Sequence, residues 1–142
     1  ACASPAYLEG HARIRSVADL AQHQRIGNSQ VPGLNQWPLR TSDGGERWDA
    51  APQLTASSGE TMRQLALAGQ GVVCLADFMT VRDRAQGTLV QVLPQATVLQ
   101  RQAIHAVYYR NTVLAARITA FLDFLAAAMV PPTDSAGVRE HA

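Results

Sequence analysis

The chain has 142 residues, of which 47% are hydrophobic and 16% are charged, and its formal net charge is +1. These values are typical of one soluble globular domain or part of one. They give no general reason to expect nucleic acid or a membrane as a partner. No apolar run approaches the ~20 residues that span a bilayer, and no signal peptide is visible at the N-terminus.

The first predicted elements are short, and each begins at a recognisable cap. Residues 1–3 are expected to be extended, and Ser4 then caps a helical turn that starts with Pro5 and ends at Gly10. Ser16 is expected to cap a second short helix. The residues of that helix that are expected to face inward are Val17, Leu20 and Ala21.

A short strand and a hairpin are predicted next. Residues 25–29 indicate the strand, and Asp43-Gly44 is a strong turn pattern between two arms that each contain a tryptophan. This pattern predicts a β-hairpin in which Trp37 and Trp48 pack across the strands or, as a less favoured alternative, stack on a ligand. Pro38 is expected at an edge because it has no amide proton to donate.

The middle of the chain predicts a strand, a helix, a tight turn and a buried strand in succession. Ser57 followed by Glu60 fits a capping box, in which two free amides of the first helical turn gain side-chain partners. Gly69 and Gly71 bracket the end of the helix, where a positive φ is expected. The continuous apolar run 72–75 is typical of a strand covered on both faces. The expected core stripe of the helix is Met62, Leu65, Ala66 and Gly69.

The last part of the chain predicts two helices and two strands. Asp77 is expected to cap a helix that Gly87 ends, and residues 88–93 alternate as a strand does. A longer strand is predicted at 102–109 and a final helix at 113–129. The apolar stripe of the final helix consists of Leu114, Ile118, Phe121, Leu122, Leu125 and Met129.

Three segments of the sequence together resemble LysR-type transcriptional regulators. They are CASPAYL at residues 2–8, ADLAQHQRIG at residues 18–27 and GETMRQLALAGQGVVCLADF at residues 59–78. Each motif alone is common, but their order and spacing are similar to the C-terminal effector-binding region of that family over residues 2–129.

The resemblance implies an α/β fold, a periplasmic-binding-protein-like (type II) lobe with a mixed sheet. In the family the chain crosses twice between two lobes, and the ligand binds in the cleft. Residues 1–98 would form the second lobe, and residues 99–130 would supply the last strand and helix of a mostly missing first lobe. Residues 131–142 would be a disordered tail. The winged helix-turn-helix that binds DNA in the family would precede this chain.

The resemblance also implies which residues line an effector pocket. The segment at the start of the middle helix lines the pocket in the family, and a helix N-terminus favours carboxylate or phosphate groups. The effector is therefore expected to be a small anionic molecule. The predicted effector-binding residues are Ser4, Pro5, Ile26, Gly27, Ser57, Ser58, Gly59 and Phe78.

These residues also have purely structural interpretations. Ser57 can complete an ordinary capping box in which Glu60 competes with an anionic ligand. Ser4 can be a plain helix cap, Gly27 a strand-end turn, and Phe78 part of the core. The sequence alone leaves these alternatives open.

Cysteine and histidine give no strong indication of a metal or redox site. Cys2 and Cys74 lie in apolar segments, where buried small side chains are expected more than an activated redox pair. The four histidines share no metal-ligand spacing. No G-x-S-x-G motif supports a hydrolase that would use Ser57 and His23. We therefore predict no metal, no cofactor and no catalytic residue.

The function expected from the resemblance is effector sensing by a cytoplasmic LysR-family regulator. The expected partners are a small-molecule effector, further copies of the chain in a dimer or higher oligomer, and DNA only through the N-terminal domain. An alternative is a fragment of a secreted periplasmic solute-binding protein, which shares the fold but serves transport. The strand and apolar helix at the C-terminus would need to dock on another copy or on the chain's own lobe.

Overall fold

The computed structural model describes residues 1–101, His105, Val107 and residues 115–129. The chain divides into two compact units, residues 1–101 and residues 102–142. The predicted strand at 102–109 falls almost wholly outside the described residues, and the predicted tail at 131–142 falls entirely outside them.

The elements of the first unit are short. Its strands are β1 (Cys2–Ala3), β2 (Arg25–Asn28), β3 (Gln36–Trp37), β4 (Trp48–Asp49), β5 (Leu54–Ala56), β6 (Val72–Val73) and β7 (Val90–Gln91). Its α-helices are α1 (Pro5–Glu9), α2 (Gly59–Leu67) and α3 (Asp77–Gln86), and 3₁₀ helices cover Ala18–Gln22, Pro32–Asn35 and Pro94–Ala96. In the second unit the structure describes the helix α4 (Ala115–Ala128).

Five of the strands form a mixed sheet in the order β5-β2-β6-β1-β7. β2 runs parallel to β5 and β6, whereas β1 runs antiparallel to β6 and β7. The parallel strands therefore end at one side of the sheet, at Asn28, Ala56 and Val73, and we call this side the carboxyl edge. Because β1 is antiparallel, it begins at the carboxyl edge and ends at the opposite edge.

Each face of the sheet buries a separate apolar cluster. Val72 belongs to one cluster and Val73 to the other, and both are fully buried. This alternation confirms the prediction of a strand covered on both faces. On the helix face, α2 packs on the sheet, and the buried cluster consists of Cys2, Ile26, Met62, Ala66, Val73 and Leu89. On the hairpin face, the first 3₁₀ helix and the β3–β4 hairpin pack on the sheet. The buried cluster there consists of Ala3, Tyr7, Val17, Leu20, Trp37, Leu39, Ala50, Val72 and Val92.

The predicted hairpin is confirmed. β3 and β4 pair in antiparallel register with Trp37 opposite Trp48. The two indole rings meet edge to face with their centroids 5.7 Å apart, and Trp37 is fully buried. Packing across the strands, the favoured interpretation of the two tryptophans, is therefore correct.

The helix predicted after Ser16 is wrong in kind, because the segment is a 3₁₀ helix with no side-chain cap. The Asp19 carboxylate instead accepts hydrogen bonds from the amides of Arg15 and Ser16 at 2.8 and 2.9 Å. A 3₁₀ helix repeats every three residues, so Val17 shares a buried face with Leu20. Ala21 is turned away from that face and is exposed.

The turn before β6 has the positive φ angles predicted for it, +75° at Gly69 and +151° at Gly71. A Cβ on Gly71 would lie 2.4 Å from the carbonyl oxygen of Gln24, which accepts a hydrogen bond from Val72 N at 2.8 Å. Glycine is therefore required where β6 enters the sheet beside β2. The strand itself is shorter than the predicted run 72–75.

α3 begins at Asp77, so Ala76 rather than Asp77 occupies its cap position. Its predicted end at Gly87 is confirmed, with φ of +73°. α4 lies within the predicted final helix. Ile118, Leu122 and Leu125 are half-buried on one face, whereas Phe121, which was predicted to share it, is 60% exposed.

Candidate functional site

The carboxyl edge gathers the segments that follow the three parallel strands. β5 leads through Ser57 into Ser58, β6 leads to Phe78, and β2 leads into Ser29. Ser29 N donates to the carbonyl oxygen of Ala56 at 3.0 Å, which joins the ends of β2 and β5. α/β sheets bind ligands beyond the carboxyl ends of their strands, so this edge is the candidate site.

The cap of α2 is Ser58, one residue later than predicted. Ser58 Oγ accepts a hydrogen bond from Thr61 N at 3.1 Å and bonds to Thr61 Oγ1 at 2.9 Å. Both Ser57 and Ser58 are exposed. The amides of Gly59 and Glu60 precede the first intrahelical hydrogen bond, and no acceptor within residues 1–101 engages them. These two amides are available to an anion.

The carboxylate of Glu60 is held away from the cap. It accepts hydrogen bonds from Gln64 Nε2 at 2.8 Å and from Arg63 Nη1 at 2.9 Å. The Gln64 amide, and after it Arg63, lowers the pKa of Glu60. The capping box predicted from Ser57 and Glu60 therefore does not form, because side chains of the next helical turn engage the carboxylate.

The starts of α2 and α3 pack against each other. A Cβ on Gly59 would lie 2.8 Å from Met79 Cε and 3.6 Å from Leu75 Cδ2. Phe78, which precedes Met79, is 75% exposed. The interpretation of Phe78 as part of the core is therefore wrong, because its ring is exposed one residue before Met79.

Ser4 and Pro5 lie at the opposite edge of the sheet from Ser58. β1 runs antiparallel to β6, so Ser4 follows the end of β1 and lies beyond the amino end of β6. In agreement, a Cβ on Gly69, which precedes β6, would lie 3.7 Å from Ser4 Oγ. Ser4 is 4% exposed and caps α1. Within the first unit Ser4 and Pro5 therefore lie apart from Ser58, and their role in effector binding stays a prediction.

Ile26 and Gly27 are enclosed by the chain itself. Ile26 is fully buried in the cluster of the helix face. A Cβ on Gly27 would lie 2.4 Å from Pro52 Cγ and 2.6 Å from Asn35 Oδ1. The space beside Gly27 is occupied by Pro52 and Asn35, and the role of Ile26 and Gly27 in effector binding stays a prediction.

The end of β2 carries two polar residues for which no role was predicted. Asn28 Oδ1 accepts hydrogen bonds from the amides of Gln30 and Val31, both at 2.8 Å, so this side chain builds the turn. Ser29 is exposed at the carboxyl edge. The end of the predicted strand could have indicated these two residues. The last residue of a parallel strand reaches the ligand-binding edge of the sheet, whereas residues in the middle of the strand do not.

Neither cysteine has the character of an activated thiol. Burial raises the pKa of Cys2 to about 11, and it also raises the pKa of Cys74. Both are free, and a raised pKa disfavours the reactive thiolate. Over the part of the chain that the structure describes, no three His, Cys, Asp or Glu side chains are grouped as metal ligands. In the same residues no helix has the length and apolar character of a membrane span.

Comparison with known proteins places the sequence among transcriptional regulators. Residues 1–130 match the LysR substrate binding domain. The HTH-type transcriptional regulator CrgA of Neisseria meningitidis serogroup B is 40% identical over 123 residues, which cover 87% of this chain and 41% of that protein. The HTH-type transcriptional activator TtdR of Escherichia coli K12 is 28% identical over 129 residues, covering 89% and 40%. The chain thus spans less than half the length of either relative.

Solved structures of regulators have the same fold. The regulatory domain of CrgA from Neisseria meningitidis superposes with a TM-score of 0.85 at 38% identity, covering 91% of this chain and 63% of that one. The regulatory domain of AphB in Vibrio vulnificus superposes with a TM-score of 0.56 at 26% identity, covering 66% and 46%. These matches confirm the predicted periplasmic-binding-protein-like fold, and they do not favour the alternative of a secreted solute-binding protein.

Proposed function

This chain belongs to the LysR substrate-binding domain family, and on that premise we propose that its carboxyl edge binds a small organic anion. The chain is part of the effector-binding domain of a LysR-type transcriptional regulator. An acidic group of the effector would bind the free amides at the start of α2, beside Ser57 and Ser58. The body of the effector would lie against Phe78.

The observation that carries this proposal is the pair of free amides in the first turn of α2. The amides of Gly59 and Glu60 have no acceptor within the first unit, and the Glu60 carboxylate is engaged by Arg63 and Gln64. The positive end of the helix dipole adds to the attraction of these amides for an acid group. The exposed ring of Phe78 offers apolar surface at the same edge.

The proposed binding regulates transcription by a shift of population. An effector between two lobes changes their relative orientation only if it binds the two arrangements with different affinity. We further infer that the whole regulator binds DNA through an N-terminal domain, works as a dimer or higher oligomer in the cytoplasm, and catalyses no reaction. The description of its relatives as HTH-type regulators supports this inference.

Two substitutions of Ser58 test the anion site. Asp and Asn are both good N-cap residues, so Ser58→Asp and Ser58→Asn both retain the cap, but only Asp adds a negative charge. Succinate and benzoate serve as probes in calorimetric titrations of the full chain. We expect Ser58→Asn to bind like the wild type and Ser58→Asp to weaken binding by at least about tenfold. Equal affinity of the two variants, or no saturable binding of either probe to the wild type, would contradict the proposal.

A further inference from the structure

The hairpin face carries a groove that shares no lining residue with the candidate site. Its volume is about 890 Å³, within the range of small-molecule sites. Three segments of the first unit line it: residues 15–18, the hairpin residues 40–49 and residues 93–96. We call it the hairpin groove.

Three arginines from two of these segments line the hairpin groove. Arg15 precedes the first 3₁₀ helix, and Arg40 and Arg47 come from the two arms of the hairpin. All three are exposed. No ion pair or hydrogen bond among the described residues engages their guanidinium groups. Residues distant in sequence thus bring three unpaired cations to one concave surface.

The two carboxylates in the groove are committed to the turns that carry them. Asp43 accepts hydrogen bonds from Thr41 Oγ1 and, at 3.3 Å, from Gly45 N. These donors, Thr41 first, lower the pKa of Asp43. Asp49 Oδ1 accepts from Ala51 N at 3.0 Å. Neither aspartate forms an ion pair with an arginine of the groove, so the three guanidinium groups stay available to a ligand.

Backbone hydrogen bonds hold the chain at Arg15 and Arg40. Arg40 N donates to the carbonyl oxygen of Ala96 at 2.8 Å, and Arg15 N donates to the Asp19 carboxylate at 2.8 Å. Trp48 also lines the groove, and its ring centroid lies 5.9 Å from the guanidinium carbon of Arg25. Because this backbone is already ordered, less conformational entropy of the protein is lost when a ligand binds.

We propose that the hairpin groove binds a small polyanion with two or more carboxylate or phosphate groups. The planar guanidinium fork matches either group with two parallel hydrogen bonds. Three arginines from two segments can engage more than one acid group at once, whereas a monoanion has only one such group to offer. The site is independent of the effector site proposed at the carboxyl edge.

Citrate and pyrophosphate are the probes, titrated calorimetrically into the full chain at an ionic strength of about 0.15 M, where weak surface attraction is screened. We expect Arg15→Gln, Arg40→Gln and Arg47→Gln each to weaken binding by at least about fivefold, and the triple variant to abolish it. The matched control is Arg82→Gln, which removes the same charge from an exposed position on α3. It should change affinity by less than about twofold.

The outcomes separate this site from general charge and from the effector site. Binding of both probes, or of either alone, with loss only in the groove variants would support the proposal. An equal loss in Arg82→Gln would overturn it, because the effect would then be non-specific. Wild-type affinity in the triple variant would also overturn it. Ser58→Asp should leave citrate binding unchanged; loss there, with retention in the groove variants, would move the anion to the carboxyl edge.

Discussion

The two faces of the sheet are held together by different kinds of contact. On the helix face, Arg63 of α2 donates two hydrogen bonds of 2.6 Å to the carboxylate of Asp83 on α3, whose side chain is 5% exposed. On the hairpin face the buried cation is Arg25, 8% exposed, and the structure records no carboxylate partner for it in the first unit.

Arg25 instead donates to backbone carbonyls on both sides of it. Its acceptors are the carbonyl oxygens of Leu20, Ala21, His23, Ala50 and Ala51. Regular helices satisfy their own carbonyl groups, so α2 and α3 need only a pair of side chains to join them. Irregular segments leave carbonyls unpaired, and one guanidinium with five N–H groups can satisfy several of them. A buried arginine can therefore supply the hydrogen bonds that regular secondary structure would otherwise provide to these carbonyl groups.

The largest effect is expected from Arg25→Leu. It leaves several buried carbonyls without donors and should lower the free energy of unfolding by about 3–5 kcal/mol. Denaturant unfolding measures it, with Arg82→Leu as an exposed control. Arg25→Lys should fall between them, because an ammonium group has three donors on a narrower head. A loss below about 1 kcal/mol in Arg25→Leu would show that the carbonyls do not depend on this side chain.

Gly71→Ala should have the next largest effect, and it acts on both faces because β6 lies between them. The positive φ and the 2.4 Å approach to the Gln24 carbonyl oxygen predict a loss of about 2–4 kcal/mol. Gly33→Ala is the control, since a Cβ there meets nothing within 4 Å. Similar unfolding midpoints for the two variants would contradict the strain at Gly71.

Breaking the ion pair of the helix face should have a smaller effect that depends on pH. Arg63→Gln is expected to lower Tm by about 5 °C near neutral pH. The Arg63 hydrogen bonds lower the pKa of Asp83, so the stabilisation is complete above the ordinary carboxyl pKa. It is lost as the pH falls through the lowered one. Thermal scans should show the difference from the wild type shrinking in acid; a constant difference would exclude this ion pair as its source.

The smallest effect is expected at His23 on the hairpin face. Tyr7 Oη and His23 Nδ1 are 3.2 Å apart, and the His11 ring lies 6.1 Å from the His23 ring. Burial, and then His11, lowers the pKa of His23. The unfolded chain therefore binds this proton more readily, and stability should fall as the pH drops below the ordinary histidine pKa. Between about pH 7 and pH 5 the wild type should lose a few degrees of Tm more than His23→Gln; parallel curves would contradict this assignment.

Local patterns predicted those elements whose cause is local. The cap at Ser4 and the turn at Asp43-Gly44 depend on neighbours in sequence, and both were confirmed. The apolar run at Val72 forms the predicted strand covered on both faces, but that strand has only two residues. The α2 cap was misplaced by one residue because Ser57 and Ser58 offer the same chemistry. The choice depends on where Leu54–Ala56 leaves the sheet.

The candidate site was harder to predict because it depends on strand direction. No local pattern predicts that β1 runs antiparallel to β6. Because of that direction, Ser4 lies at the opposite edge of the sheet. Gly27 met Pro52 and Asn35, which pack there from later parts of the chain. The burial of Arg25 and its bonds to carbonyl groups were not predicted either, because a single arginine in a strand is usually expected to be exposed.

The start of β1 and the end of β7 lie close together, which suits the first unit for insertion into another protein. β1 begins where β7 ends, and Val92 N donates to the carbonyl oxygen of Ala1 at 2.9 Å. A module whose two ends adjoin can be spliced into a surface loop of an unrelated host without stretching either junction. Residues 1–98, which retain the hydrogen bonds of Ala96 and Val98 to Arg40 and Pro38, therefore suit use as an insertion cassette for a biosensor. In such a fusion the N-terminal junction would lie beside the carboxyl edge, where the effector site is proposed.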